Sequence, residues 1–379
     1  MINISKIKYL AGNKKPLPHT LSPYNRSVCN FFDDLSRSLL NDKQASKYAD
    51  VISYAFWCRK SNIDKFRKNF KDDHIRLGLG TIFHISPSNV PVNFAYSFSF
   101  GLLAGNANIV RVPSKLFPQV NIICKVINNL FAIKKYKKIK EMNSFVRYKK
   151  NEDATTFYSS ICNARVIWGG NESIRNIRRI PIPERSIDIT FADRYSFCLI
   201  SAPSLIKLSS VKLKQLAEKF YNDTYVIDQN ACSSPHLIIW TGENKKKAKE
   251  KFWNTLYSVV KRKYQLENIG VMDKYTQCFK DAIELKNIKF VKRYGNYIYR
   301  VSLSSLLSNT DTLRGKWGYF YEHDTDDFVK IADIINPKYQ TLTYFGVKKS
   351  KLKNFVNKYH LSGIDRIVPI GQSLDMGLI

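Results

Sequence analysis

The chain has 379 residues, of which 44% are hydrophobic and 13% aromatic. That is too apolar for a disordered protein and too long for one simple core, so two domains are expected. Sixty-one basic residues against 31 acidic ones leave a net charge of +30. Such a field draws in polyanions (nucleic acid, anionic lipid, an acidic carrier protein, a phosphorylated cofactor), or it is a solvated surface in a chain rich in Lys, Ile and Asn. No apolar run reaches the roughly 20 residues needed to cross a bilayer, and the N-terminus lacks the apolar core and cleavage site of a signal peptide. A cytoplasmic location without a transmembrane segment is expected. The seven cysteines are odd in number, spread out and without a CxxC pair. This fits neither a disulfide framework nor a zinc site, and no metal is expected.

Residues 1–75 read as helices packed around a first domain, with helical periodicity in QASKYADVISYAFWCRKSNIDKF. From residue 79 short strands alternate with helices: TIFHIS, then VNFAYSFSFGLLAG, NIVRVPS, and FPQVNIICKVINNLFAI. A lysine-rich stretch, KKYKKIKEMNSFVRYKKNED, reads as a connector. The strand ARVIWGG, the helix NESIRNIRRI and the strands RSIDITF and SFCLIS follow. This alternation predicts an α/β protein with mostly parallel sheets. A second domain is expected from about residue 205, with the helix KLKQLAEKFYNDTY, a cysteine segment, the strand HLIIW, the basic helix KKKAKEKFWNTLYSVVKRKY, and strands in KFVKRYGNYIYRVSL and QTLTYFGV.

Four segments are candidates for chemistry. In HISPSNVPVNF a strand ends in a turn, where α/β proteins place ligands. Asn89 there either donates its amide to an oxyanion or only caps the next helix. In GLLAGNANIVRVPSK, Gly105 and Asn106 end a helix, and Arg111, Ser114 and Lys115 lie at the far end of the next strand, where a guanidinium suits a phosphate. In VIWGGNESI, Gly169 and Gly170 precede a helix whose amides suit a pyrophosphate, or simply make a tight connection. In DQNACSSP, Cys232 sits at a turn among hydrogen-bonding groups, with Gln229 before it and His236 close enough in sequence to act on its pKa; the alternative is an inert buried thiol.

Taken in order, SNVP, GN followed by a basic residue, WGG and QxxCSSP resemble the aldehyde dehydrogenase superfamily. Within it, ACSSP, WGG, QTLTYFG (340–346) and GIDRIVPIGQSLDM (363–376) resemble the long-chain acyl-CoA reductases, known as the reductase component of bacterial bioluminescence. The resemblance spans roughly residues 78–376. It implies two Rossmann-like parallel-sheet domains with the active site in the cleft between them: 1–204 with the N-terminal helices and the nicotinamide cofactor, 205–352 with the nucleophilic cysteine, and 353–379 returning toward the first domain. It implies Cys232 as nucleophile with Gln229 beside it, Asn89 as oxyanion donor, and Gly105, Asn106 and Arg111 at the adenosine ribose.

Where hydrolytic members of the superfamily carry a glutamate base, this chain has Thr190 in TFADR. Without a base to activate water, a thioacyl-enzyme would pass its acyl group to or from a thiol. The expected activity is therefore reduction of a fatty acyl-CoA or acyl-carrier thioester to the aldehyde. NADPH is expected over NADH, because Arg111 and Lys115 suit a 2′-phosphate. The expected partners are acyl-CoA or an acyl carrier protein, an acyl-transferring enzyme and further copies of the chain, with no specific nucleic acid. The competing readings are an acyltransferase using the same thioacyl-enzyme, or a basic polyanion-binding protein on a degenerate dehydrogenase fold.

Overall fold

A computed structural model describes residues 7–70, 74–87, 90–149 and 152–375. The chain divides into two compact units, the first carrying the residues up to Asp193 and the second beginning at Arg194. The first is built on a six-stranded sheet. Its strands are β1 (Lys8–Gly12), β2 (Thr81–Ile85), β3 (Ala107–Arg111), β4 (Asn143–Arg147), β5 (Ala164–Trp168) and β6 (Ile187–Phe191), in the order β1-β4-β3-β2-β5-β6. Strands β2 to β6 are parallel, and β1 joins β4 antiparallel at the edge. Because β2 and β4 are buried along their whole length, they read as short apolar runs without alternation.

Helices Asn93–Leu103, Pro118–Phe131 and Asn171–Arg178 follow β2, β3 and β5. The N-terminal helix Arg26–Leu40 buries Val28, Phe31, Phe32, Leu35 and Leu39, a stripe at helical spacing. Phe31 stacks on Phe131 and meets Phe98 edge-on. Asn25 caps this helix by accepting the Ser27 N–H at 3.0 Å.

The second unit has a seven-stranded sheet. Its strands are β7 (Tyr195–Ser201), β8 (Leu237–Thr241), β9 (Ile288–Tyr294), β10 (Ile298–Leu303), β11 (Tyr319–Thr325), β12 (Tyr339–Phe345) and β13 (Arg366–Pro369), in the order β13-β12-β7-β8-β11-β10-β9. Neighbours are parallel except in the β9–β10 hairpin. Along β7 the side chains alternate: Cys198 and Ile200 join one apolar cluster, Tyr195, Phe197 and Leu199 the other. Helices Ser210–Thr224 and Lys245–Lys263 cover the first face, and Asn268–Glu284 and Lys349–Lys358 reach the second. Glu322, fully buried, accepts hydrogen bonds from Arg300 at 2.6 Å, Lys249 at 3.3 Å, and the Trp240 and Trp253 indoles at 3.2 Å each.

Two expectations change. The lysine-rich connector contains a helix, Lys137–Met142, and the buried strand β4. The boundary lies before β7 rather than at 204/205, because β7 pairs with β8 and β12. In the C-terminal segment, β13 pairs with β12 in the second sheet.

Candidate functional site

The first sheet has a topological switch point. From β2 the chain builds outward through β3 and β4, then returns to the other side of β2 with β5 and β6. Parallel sheets bind ligands outside the carboxyl ends of the two strands that flank such a reversal. Here those ends are Ser86-Pro87 after β2 and Gly169-Gly170 after β5. Asn89 lies outside the described residues.

A buried hydrogen-bond chain fixes the floor beneath this point. Asn108 spends its amide N–H groups on Asn106 O at 2.9 Å and Asn143 Oδ1 at 2.7 Å, so its Oδ1 must accept from His84 Nε2 at 2.9 Å. His84 Nδ1 then accepts from Ser97 Oγ at 2.8 Å, and Ser97 Oγ accepts the Trp168 indole N–H at 3.0 Å. Burial pulls the His84 pKa down to about 4, keeping the ring neutral as this chain requires. Gly101 is obligatory here, because a Cβ would sit 2.0 Å from Asn108 Oδ1. Trp168, thus held, stacks flat on Phe191 with centroids 3.8 Å apart.

Next to the switch point, helix Asn171–Arg178 begins on Gly170, where an added Cβ would meet nothing within 4 Å. The protein's own packing does not require glycine at 170, and the cradle is open. An acidic residue, Glu172, lies in the same first turn. At the carboxyl ends of β3 and β4, the Arg111 guanidinium lies 4.6 Å over the Tyr148 ring. Arg147 donates from Nε to Pro113 O at 3.2 Å. Among the described residues, Arg111 Nε and Arg147 Nη2 are buried donors without a hydrogen-bond acceptor. A spare guanidinium donor of this kind suits an anion. Ser114 and Lys115 follow on the exposed loop. Arg147 was hidden in the lysine-rich stretch, and only its place at the end of a buried strand sets it apart from the neighbouring lysines.

Gly105 and Asn106 sit elsewhere. They occupy the amino end of β3, one strand length from Arg111. Gly105 has φ +87° and would place a Cβ 2.0 Å from Leu21 O. Asn106 accepts the Leu79 N–H at 2.6 Å and donates to Gly101 O at 3.1 Å. The expected cofactor contacts of both are replaced by structural ones.

In the second unit Cys232 lies half-buried in a turn between helix Ser210–Thr224 and β8. Asp228 and Gln229 open this segment in the left-handed region, at φ 55° and 60°. Gln229, 1% exposed, uses its whole amide: Oε1 accepts the Gly318 and Tyr319 N–H groups at 3.1 and 3.2 Å, and Nε2 donates to Pro235 O and Tyr319 O at 3.1 Å each. It is therefore a brace that ties the cysteine segment to the start of β11. Ser196 Oγ donates to Cys232 O at 2.6 Å and accepts the Thr341 N–H at 3.1 Å, which adds β7 and β12 to the frame. Ser234 Oγ donates to Asp223 O at 2.7 Å.

The Asp223 carboxylate, pushed up to about 6 by burial, accepts the Gly371 and Ser373 N–H groups at 2.6 and 2.9 Å. Arg366 donates to Ser373 O at 3.1 Å and to Asp375 O at 2.6 Å. The segment 363–375 thus serves the cysteine turn through Asp223. Ser196 and Asp223 carry no motif of their own, whereas Arg366 lies within GIDRIVPIGQSLDM.

His236 is held neutral. It is buried, stacked on Tyr195 at 5.6 Å, and burial with the nearby Arg314 charge pulls its pKa to about 3. The six other cysteine thiols are all pushed up, mainly by burial, Cys162 to about 11 and Cys124 to about 12. Thr190 is exposed on edge strand β6.

No helix among the described residues is long and apolar enough to cross a membrane. No curated protein matches the sequence. Among solved structures, the chain is similar to an oxidoreductase from Marinobacter aquaeolei, at 11% identity and TM-score 0.66, over 97% of this chain and 82% of that one. It is also similar to aldehyde dehydrogenase 21 from Physcomitrella patens (10%, 0.64, 92% and 78%). A third likeness is to the glyceraldehyde-3-phosphate dehydrogenase GapN from Methanocaldococcus jannaschii, solved with NADP (14%, 0.62, 93% and 82%). These likenesses give the fold, that of the aldehyde dehydrogenases. The family of acyl-CoA reductases (LuxC) matches residues 17–278, most of the chain and both the switch point and the cysteine turn. The protein belongs to the acyl-CoA reductase (LuxC) family and is an oxidoreductase of acyl groups on an aldehyde dehydrogenase fold.

Proposed function

We propose that the protein reduces a fatty acyl thioester, carried by CoA or an acyl carrier protein, to the aldehyde with NADPH, through a thioacyl-enzyme on Cys232. The observation that carries this reading is the setting of Cys232, half-buried on a turn that Gln229 and Ser196 brace against strands β7, β11 and β12. On this reading the Cys232 thiolate attacks the thioester carbon, the new C–S bond forms, and the carrier leaves as its thiolate. The Cys232 N–H and Asn89 are the expected oxyanion donors, each worth about 3 kcal/mol.

A nicotinamide, when bound, supplies hydride to the thioester carbon, whereupon the Cys232 sulfur departs as thiolate and the aldehyde is released. For the cofactor itself, the open cradle at Gly169 and Gly170 suits a pyrophosphate, while the spare donors of Arg111 and Arg147, with Ser114 and Lys115, suit a 2′-phosphate. Thr190 offers no base for water, which favours a thiol as acyl donor. The test is purified protein with NADPH and a panel of acyl-CoAs and acyl carrier proteins, with aldehyde read by mass spectrometry. Acyl transfer without NADPH oxidation would overturn the reductive step.

A further inference from the structure

Three non-glycine residues in the left-handed region meet at one junction beside the cysteine turn. Asp228 and Gln229 have φ 55° and 60°, and Trp317, which leads into β11, has φ 51°. Trp317 donates its N–H to Asp228 O at 3.1 Å, and the next two N–H groups, of Gly318 and Tyr319, go to the Gln229 side chain. For a bulky residue such as Trp317 this conformation is strained, and it persists only where the surroundings impose it. Gly318 continues the bend at φ +87°, where a Cβ would lie 2.2 Å from the Tyr225 hydroxyl oxygen.

The group that holds Trp317 comes from helix Asn268–Glu284. Lys274, 1% exposed, donates from Nζ to Trp317 O at 2.8 Å and to Asn296 O in the β9–β10 turn. Gly270, one helical turn earlier, leaves room for the indole, since a Cβ there would come within 3.1 Å of the ring. Among the described residues no carboxylate pairs with Lys274, so burying its amine costs free energy that an apolar side chain would not. What the amine supplies instead is a clamp on two carbonyls, one from the hairpin turn and one from the strained residue.

We infer that Lys274 is a positioning residue for Cys232: it fixes the Trp317 peptide, and with it the N–H groups on which the cysteine turn hangs. The inference rests on the reading of Cys232 as nucleophile. A small displacement of an attacking sulfur slows the attack far more than it weakens substrate binding.

Rapid-quench measurement of thioacyl-enzyme formation on the full chain tests this, using the acyl-CoA that the wild type reduces fastest and locating the label by mass spectrometry. Lys274→Met, which keeps the side-chain length, should slow acylation of Cys232 about 30-fold and leave the KM for acyl-CoA within about twofold. Gly270→Ala, which pushes on the indole instead, should slow it about tenfold. Leu352→Ala, at a fully buried position on helix Lys349–Lys358, is the stability control. It should lower the melting temperature at least as far and leave acylation within about twofold of wild type. An acylation rate unchanged in Lys274→Met, or lost equally in Leu352→Ala, would overturn the positioning role alone. Label on a residue other than Cys232 in the wild type would overturn the reading beneath it, and the inference with it.

Discussion

The cysteine turn and the carboxyl ends of β3 and β4 are both polar and partly buried, yet they are finished differently. Around Cys232 the braces are saturated: all four hydrogen bonds of the Gln229 amide are made inside the protein, and Ser196 both gives and accepts one. At the strand ends, Arg111 and Arg147 keep buried donors that no acceptor among the described residues receives. A buried polar group that is fully paired holds shape, and one that is left over costs free energy until a ligand arrives. On the proposed reading the paired Gln229 and Ser196 are scaffold, and the spare donors of Arg111 and Arg147 await a ligand.

The comparison breaks first at the sulfur. Cys232→Ser should lower aldehyde formation by about 1,000-fold or more while leaving the melting temperature unchanged, because an alcohol is a far weaker nucleophile than a thiolate. Normal turnover by this variant would remove the thioacyl-enzyme. Gln229→Ala tests the saturated side. It strips partners from two N–H groups and two carbonyls, at a cost of about 3 kcal/mol, or about 6 to 12 °C in melting temperature. A variant that melts like the wild type but has lost its rate would make Gln229 a catalytic group after all.

Lys274 sharpens the contrast, being paired in geometry but not in charge. It donates to two carbonyls, and among the described residues no carboxylate pairs with it. Burial pulls its pKa from 10.5 down to about 7. Between these values the unfolded chain binds the proton and the folded one does not, so this contribution to stability rises with pH above 7 and is lost as pH falls toward it. From pH 7 to pH 9 the gain should be roughly 2 kcal/mol. It should appear as a growing difference between the wild type and Lys274→Met in denaturant melts. A difference independent of pH would mean that Lys274 stays charged.

The smallest effect belongs to the unsaturated side. Arg147→Ala should raise the KM for NADPH about tenfold and that for NADH less, with Arg111→Ala acting alike, since the extra phosphate is what spare guanidinium donors would clamp. Equal losses for the two cofactors would move both arginines to groups that the cofactors share.

Much of this was legible in the sequence. The strands TIFHI, NIVR, RVIW and LIIW are short apolar runs between turn residues, and buried parallel strands look like that from the chain alone. The cysteine turn announced itself by its small and polar neighbours. Strand β4 did not, because five buried residues are flanked by lysines whose charge dominates any longer window. For the same reason Arg147 looked like one more basic residue. Gly105 and Asn106 read as cofactor residues by the company they keep, and only the strand direction shows that they lie at the opposite end of β3 from Arg111. Gln229 was legible as important but not as a brace, since its partners Gly318 and Tyr319 are distant in sequence and meet it only through the sheet.

The Asp223 carboxylate has a consequence for synthesis. Its two amide donors, Gly371 and Ser373, are translated about 150 residues after it, and Gly371 takes φ +97° with no room for a side chain beside Lys219. A ribosome that has made the cysteine turn has therefore not yet made the segment that completes its frame. A nascent chain stalled before Gly371 carries Cys232 on an unfinished support, with the Asp223 carboxylate still lacking both of its amide donors.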